Sequence, residues 1–140
     1  MKLTTAVGAA GVAVQRIVAR DRLVERVARE GERLKRMLAD RMGDLPALGD
    51  IRGRGFFIGL EFVADRRTKE PFPPERGLHL RIRARSFENG LICYPMGGNV
   101  DGVKGDTVIL APPYNATAEE LGEIVDKLDR SVREALEEPR

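Results

Sequence analysis

Near each end of the chain, apolar residues recur at the spacing of an amphipathic helix, and a helix with one apolar stripe must bury it against another layer. In residues 12–42 the stripe runs through Leu23, Val27, Leu34 and Leu38, with Val24 and Met37 beside it and charged residues filling the gaps. This pattern predicts one long N-terminal helix or two abutting ones. Residues 117–136 repeat the pattern with Leu121, Ile124, Val125, Leu128, Val132 and Leu136. Thr117 and Glu120 stand three apart at its start, the spacing of a capping box in which each side chain satisfies a backbone amide of the other residue. Gly43, Pro46 and Gly49 end the first helical region, because proline removes a backbone donor and glycine loosens the chain.

Between the stripes the chain changes character. Residues 51–63 are rich in β-branched and aromatic side chains and contain Gly53, Gly55 and Gly59. Glycine inside such a run marks a bulge or a close approach of backbones, so two strand pieces joined by a kink near Gly53 to Gly55 are expected. A charged loop follows over 65–74, then a helix over 75–88 closed at Asn89-Gly90, with Leu91 packing back onto it. Short strands are expected at 91–94 and 107–111, separated by a glycine-rich loop over 95–106 and stopped by Pro112-Pro113. The order predicts an α/β (α+β) two-layer sandwich in which a small, mainly antiparallel sheet is covered by helices, with a long N-terminal helix. A chain of 140 residues supports one core, so residues 1–140 are read as a single domain.

Composition excludes several classes of function. The 24 basic and 22 acidic residues leave a net charge of only +2, and the arginines between Arg16 and Arg41 are interrupted by Asp21, Glu25, Glu30, Glu32 and Asp40. Without a basic stripe no nucleic-acid partner is expected. No apolar run approaches the roughly 20 residues of a membrane-spanning helix, so no membrane partner is expected either. Cys93 is the single cysteine, which rules out an intramolecular disulfide and suits a reducing, cytoplasmic setting. The Ala- and Gly-rich N-terminus meets Gln15 and Arg16 without a convincing cleavage site for export.

Reactive groups are sparse. His79 is the sole histidine, with no second ligand at metal spacing, and reads as a structural or surface residue. Gly53-Arg54-Gly55 leads into a strand rather than a helix N-terminus, so a strand bulge is preferred to a phosphate cradle. Lys2, Lys35, Lys69, Lys104 and Lys127 fall on charged helix faces, in polar loops or at the terminus. A Schiff-base lysine needs a desolvated pocket that lowers its pKa, so none is assigned to catalysis, and no metal or cofactor ligand is assigned. The segments Tyr94-Pro95-Met96-Gly97-Gly98-Asn99 and Ala111-Pro112-Pro113-Tyr114 differ in kind: each sets an aromatic and bare or rigid backbone at a strand end, where a ligand or partner surface approaches closely.

Taken in order, several segments resemble one known family. They are Gly49-Asp50-Ile51-Arg52-Gly53-Arg54-Gly55 running on to Gly59-Leu60-Glu61-Phe62-Val63, then Phe87-Glu88-Asn89-Gly90-Leu91-Ile92, Gly105-Asp106, and Leu110-Ala111-Pro112-Pro113 followed by the helix start at Thr117. This ordered set, spread from Gly11 to Leu136, is similar to the C-terminal small domain of class-III, pyridoxal-phosphate-dependent aminotransferases. The resemblance implies that the cofactor's phosphate, ring and Schiff-base lysine lie on a large domain upstream, so pyridoxal phosphate is the parent family's cofactor and is not expected to bind this chain alone. It implies an incomplete aminotransferase, a truncated product, one half of a split enzyme, or a domain kept for another purpose.

The resemblance also assigns a wall of the substrate pocket to Tyr94, Met96, Gly97 and Gly98, with Pro112 and Pro113 shaping the adjoining turn. Many relatives carry an arginine for the substrate carboxylate three residues before the first proline of the pair. Ile109 stands there in this chain, and the preceding loop offers Gly102 and Lys104 where other relatives place a mobile arginine. An amine or ω-amino-acid substrate is the corresponding expectation. The expected partners are a second copy of the chain or a large-domain aminotransferase chain. Two other readings stand beside this one: a non-catalytic interaction or regulatory module, and an independent small-molecule binder resting on the glycine-rich loop.

Overall fold

The computed structural model describes residues 2–137, with side chains from Val7 onward. The N-terminal helical stretch is two abutting helices, α1 (Lys2–Arg20) and α2 (Leu23–Met42). They part at Arg22, which takes the left-handed conformation with φ 48°. The described side chains of α1 are exposed apart from Val18, whereas α2 buries Leu23, Val27, Leu34, Leu38 and Met42 along the stripe read from the sequence.

Strands β1 (Leu48–Arg54) and β2 (Phe57–Phe62) form an antiparallel hairpin. The kink expected near Gly53 to Gly55 is a tight turn through Gly55 and Phe56. Gly55 has φ +58°, and a glycine at the first central position of a two-residue hairpin loop is what a primed turn requires. The register irregularity falls earlier, between Leu48 and Asp50. A 3-10 turn (Pro74–Arg76) precedes helix α3 (Leu78–Glu88), so the helix expected over 75–88 is interrupted by Gly77, with φ +56°. Gly90 closes α3 as expected: its amide donates to the Phe87 carbonyl, and the Leu91 amide returns to that of Ser86 at 2.7 Å.

Strand β3 is Tyr94–Gly97, three residues later than expected, and β4 is Asp106–Leu110, one residue earlier. Leu91 is used to close α3, which delays the strand. The sheet order is β1-β2-β4-β3, all antiparallel. Helix α4 (Ala118–Glu137) begins at the expected capping box, with the Thr117 amide 2.6 Å from Glu120 Oε2 and the Glu120 amide 3.2 Å from Thr117 Oγ1.

One face of the sheet presents Ile58, Leu60, Phe62, Val108 and Leu110 to the core, all essentially inaccessible. Helices α2 and α3 pack on the sheet, and α4 packs across both helices, closing the core with Leu121, Val125, Leu128 and Val132. The α+β two-layer architecture read from the sequence is therefore present. The edge strands are blunted by long cations, as edges must be if they are not to pair with other chains: Arg83 donates to the Pro95 carbonyl of β3, and Lys69 and Lys35 donate to the Gly49 and Gly53 carbonyls of β1.

Candidate functional site on the uncovered sheet face

Alternation along the strands sends every second residue away from the helices. The register places Arg52, Gly59, Ile109 and Tyr94 in one row across that second face, and Asp50, Glu61, Thr107 and Met96 in the next. No helix of the described residues covers these rows. Tyr94 is 63% exposed and Phe57, on the same face, 65%; Met96 and Ile109 are half-buried. Gly59 lies between Arg52 and Ile109, and a Cβ built there would come no closer than 3.9 Å to a neighbour. It therefore leaves a shallow depression with room for an approaching group.

The electrostatics of this face are settled at its β1 end. Arg52 Nη1 lies 2.7 Å from Glu61 Oε2 and 3.1 Å from Asp50 Oδ2, and those bonds, Glu61's foremost, raise the guanidinium above its already high pKa. The arginine is thus committed to its neighbours. The β4 end is apolar and hydroxylic: Ile109, Met96 and Tyr94 surround Thr107, whose Oγ1 is buried without a hydrogen-bond partner among the described residues. A buried hydroxyl in that state costs free energy until something donates to it or accepts from it.

Beyond the ladder, the loop over 98–105 joins β3 to β4 as a narrow hairpin. The Gly98 amide donates to the Gly105 carbonyl and the Val100 amide to that of Lys104, both at 3.0 Å. Asp101 caps the tip by accepting the Lys104 and Val103 amides at 2.7 and 3.0 Å. Those amides, Lys104's foremost, hold its carboxyl below the usual carboxylate range. Gly98 and Gly105, with φ +80° and +100°, supply conformations open only to glycine here, since a Cβ on either would overlap the opposite limb. Val100 and Val103 are left exposed at the tip.

The six residues singled out from the sequence do not fall in one place. Tyr94 and Met96 share the uncovered face. Gly97 belongs to the opposite face, where a Cβ would lie 2.7 Å from His79 Nδ1, and Gly98 opens the hairpin. Pro112 is buried, while Pro113 lines a separate cavity of about 280 Å³ with Gly90, Leu91, Ile124 and Lys127. The sequence reading passed over Phe57, Gly59 and Thr107. The alternation of Ile58, Leu60 and Phe62 with Phe57, Gly59 and Glu61 carried the signal for the first two, but the row they share with β4 depends on pairing that no local pattern specifies.

Comparison with known proteins gives this fold its family. Residues 5–132 match the family profile described as aminotransferase class-III. The chain is 43% identical over 129 residues to an aminotransferase of Gibberella zeae, covering 91% of this chain and 25% of that protein. It is 45% identical over 123 residues to an uncharacterized aminotransferase of Schizosaccharomyces pombe, covering 88% and 27%. Among solved structures, a Bacillus anthracis aminotransferase superposes with a TM-score of 0.76 at 31% identity, over 85% of this chain and 26% of that one. An (S)-enantioselective omega-transaminase from Thermomicrobium roseum gives 0.77 at 27% identity, over 88% and 26%. The chain belongs to the class-III aminotransferase family. It spans about a quarter of the length of the curated relatives it matches.

Pyridoxal phosphate, the family's cofactor, is anchored as a Schiff base by a lysine in a desolvated site. The described lysines do not fit that role. Lys35, Lys69 and Lys127 each donate to a backbone carbonyl, of Gly53, Gly49 and Gly90 respectively, and Lys104 is exposed in the hairpin. No helix among the described residues is long and apolar enough to cross a membrane.

Proposed function

We propose that this chain is the C-terminal small domain of a class-III aminotransferase, a single domain over residues 1–140 that contributes a wall of the substrate pocket once a large domain covers its bare sheet face. The observation that carries this reading is that face itself, an apolar and hydroxylic surface with an unpartnered Thr107 hydroxyl and a depression at Gly59. The activity proposed for the completed enzyme is amino-group transfer from an amine or amino acid to a 2-oxo acid, with pyridoxal phosphate brought by the large domain, so the chain alone is inactive. Tyr94 and Met96 face the substrate directly. Gly97, Gly98, Pro112 and Pro113 shape the two turns that flank it.

The substrate class follows from Ile109, which stands where many relatives use a carboxylate-binding arginine. The nearest guanidinium on this face, that of Arg52, is held by two carboxylates, which supports an amine or ω-amino-acid donor over one needing a second carboxylate anchor here. The exposed valines of α1 and the bare sheet face also suit a partner surface, whether a large-domain chain or a second copy. A cytoplasmic setting belongs to the same reading, Cys93 being a free thiol whose pKa burial pushes up.

The test is complementation. The chain is co-expressed with the large-domain portion of its Schizosaccharomyces pombe relative, and complex formation and amine-donor turnover are measured. A complex with activity is expected, and Gly59→Leu should leave the chain folded while lowering turnover at least about tenfold by filling the depression, a loss of about 1.4 kcal/mol. A Gly59→Leu chain with full turnover removes the sheet face from the pocket. Absence of both complex and activity overturns the proposal in favour of an interaction module.

A further inference from the structure

Helix α3 has no side-chain cap of its own, because Gly77 stands at its N-cap. The Leu80 and Arg81 amides turn back to the Gly77 carbonyl, and the orphan amide of His79 is served from across the fold. Asp106, the first residue of β4 and only 5% exposed, sends Oδ1 to the His79 amide at 2.9 Å and to His79 Nδ1 at 2.7 Å. Its carboxylate thus sits at a helix N-terminus, where the aligned peptide dipoles favour negative charge. The His79 imidazole lies in turn against Gly97, the residue paired with Asp106 in the ladder, so closely that any Cβ at position 97 would displace it. Gly97 and Asp106 are the two residues at the base of the hairpin over 98–105.

We propose that His79 is a positioning residue: its imidazole, fixed by Asp106 and seated on the bare backbone of Gly97, sets the angle at which the 98–105 hairpin leaves the sheet. Because a carboxylate oxygen can only accept, the ring bonds to Oδ1 as a donor beside the His79 amide, which makes Nδ1–H the occupied tautomer and leaves Nε2 the unprotonated nitrogen when the ring is neutral. Gly97 is required because the ring occupies the space of a side chain. The importance of the hairpin for substrate rests on the function proposed above, but the positioning role does not, and it is tested on the full 140-residue chain without cofactor or partner.

Two measurements decide it. Nitrogen-15 correlation spectra of the neutral His79 ring should show the Nδ1–H form; a predominant Nε2–H form overturns the proposal without any variant. Amide hydrogen exchange is then compared in His79→Leu, His79→Asn and Gly97→Ala. Asparagine places an amide donor near the position of Nδ1, so it should hold exchange of the Gly98 and Val100 amides, the two bonded across the hairpin, close to that of the unaltered chain. His79→Leu and Gly97→Ala should accelerate those amides about tenfold or more, the range expected for losing a bond to a charged group, with the β1–β2 amides unchanged. Equal acceleration throughout the sheet, or identical behaviour of the leucine and asparagine variants, shows that the ring is only packing and overturns the proposal.

Discussion

Gly31 illustrates how a single residue reconciles two elements. It lies in the middle of α2, where glycine costs about 1 kcal/mol relative to alanine, yet a Cβ at this position would overlap the backbone of Gly55 in the β1–β2 turn. Gly55 is constrained from the other side, with φ +58° and a would-be Cβ 2.8 Å from Val27 Cγ1. Helix and hairpin therefore meet backbone to backbone. Gly31→Ala should destabilise the chain by about 1–3 kcal/mol in spite of alanine's better helix propensity, because the overlap meets rigid backbone. The urea midpoint measures it, and an increase in stability would show that the turn yields. At the same scale the sequence reading took Gly53 to Gly55 for a strand irregularity, correctly locating a backbone constraint but missing that its cause lay on a helix more than twenty positions away.

Between the elements, the glycine-rich segment read as a loop is one, and over 98–105 two backbone hydrogen bonds and the Asp101 cap draw that loop into a narrow hairpin. Its tip should respond to acid. Asp101 has a folded pKa below the ordinary carboxylate value of about 3.9, so its contribution is fully present above that value and is lost as pH falls through the lower, folded pKa. A carboxyl titration followed by NMR should give an apparent pKa for Asp101 below that ordinary value, with the Val103 and Lys104 amide shifts moving in step. An ordinary pKa would mean that the tip is open in solution. Helix ends were far more legible, because Thr117, Glu120 and Gly90 act on backbone groups three or four residues away and carry their signal locally.

For the whole molecule, the division of surface is informative. The core is closed by α2, α3, α4 and one face of the sheet, while α1 projects with Val7, Val12, Val14 and Ile17 exposed. The junction at Arg20 and Arg22 is equally accessible, with side chains 72% and 78% exposed. Limited trypsin digestion should cut first at this junction and leave a product beginning at 21 or 23 with its helical and sheet signals intact by circular dichroism. Loss of the remaining fold on that cut would show that α1 supports the core. A large domain or second copy bound over α1 and the bare sheet face should protect the junction.

The sequence alone determined what depends on neighbours along the chain: the two helical stripes, the capping box, the glycine closure of α3, the two-layer class and the resemblance to class-III aminotransferases. Its period and caps act within one or two turns, so they are written in consecutive residues. Only the tertiary structure decided which face of the sheet stays bare, that Ile109, Thr107, Tyr94 and Met96 share it, and that His79, read as structural or surface, joins α3 to the base of a hairpin through Asp106. Those facts follow from strand order and register, in which β4 inserts between β2 and β3. The β2–β4 pairing brings together residues more than forty positions apart, and the His79–Asp106 bond spans 27, distances over which side-chain chemistry leaves no local pattern to read.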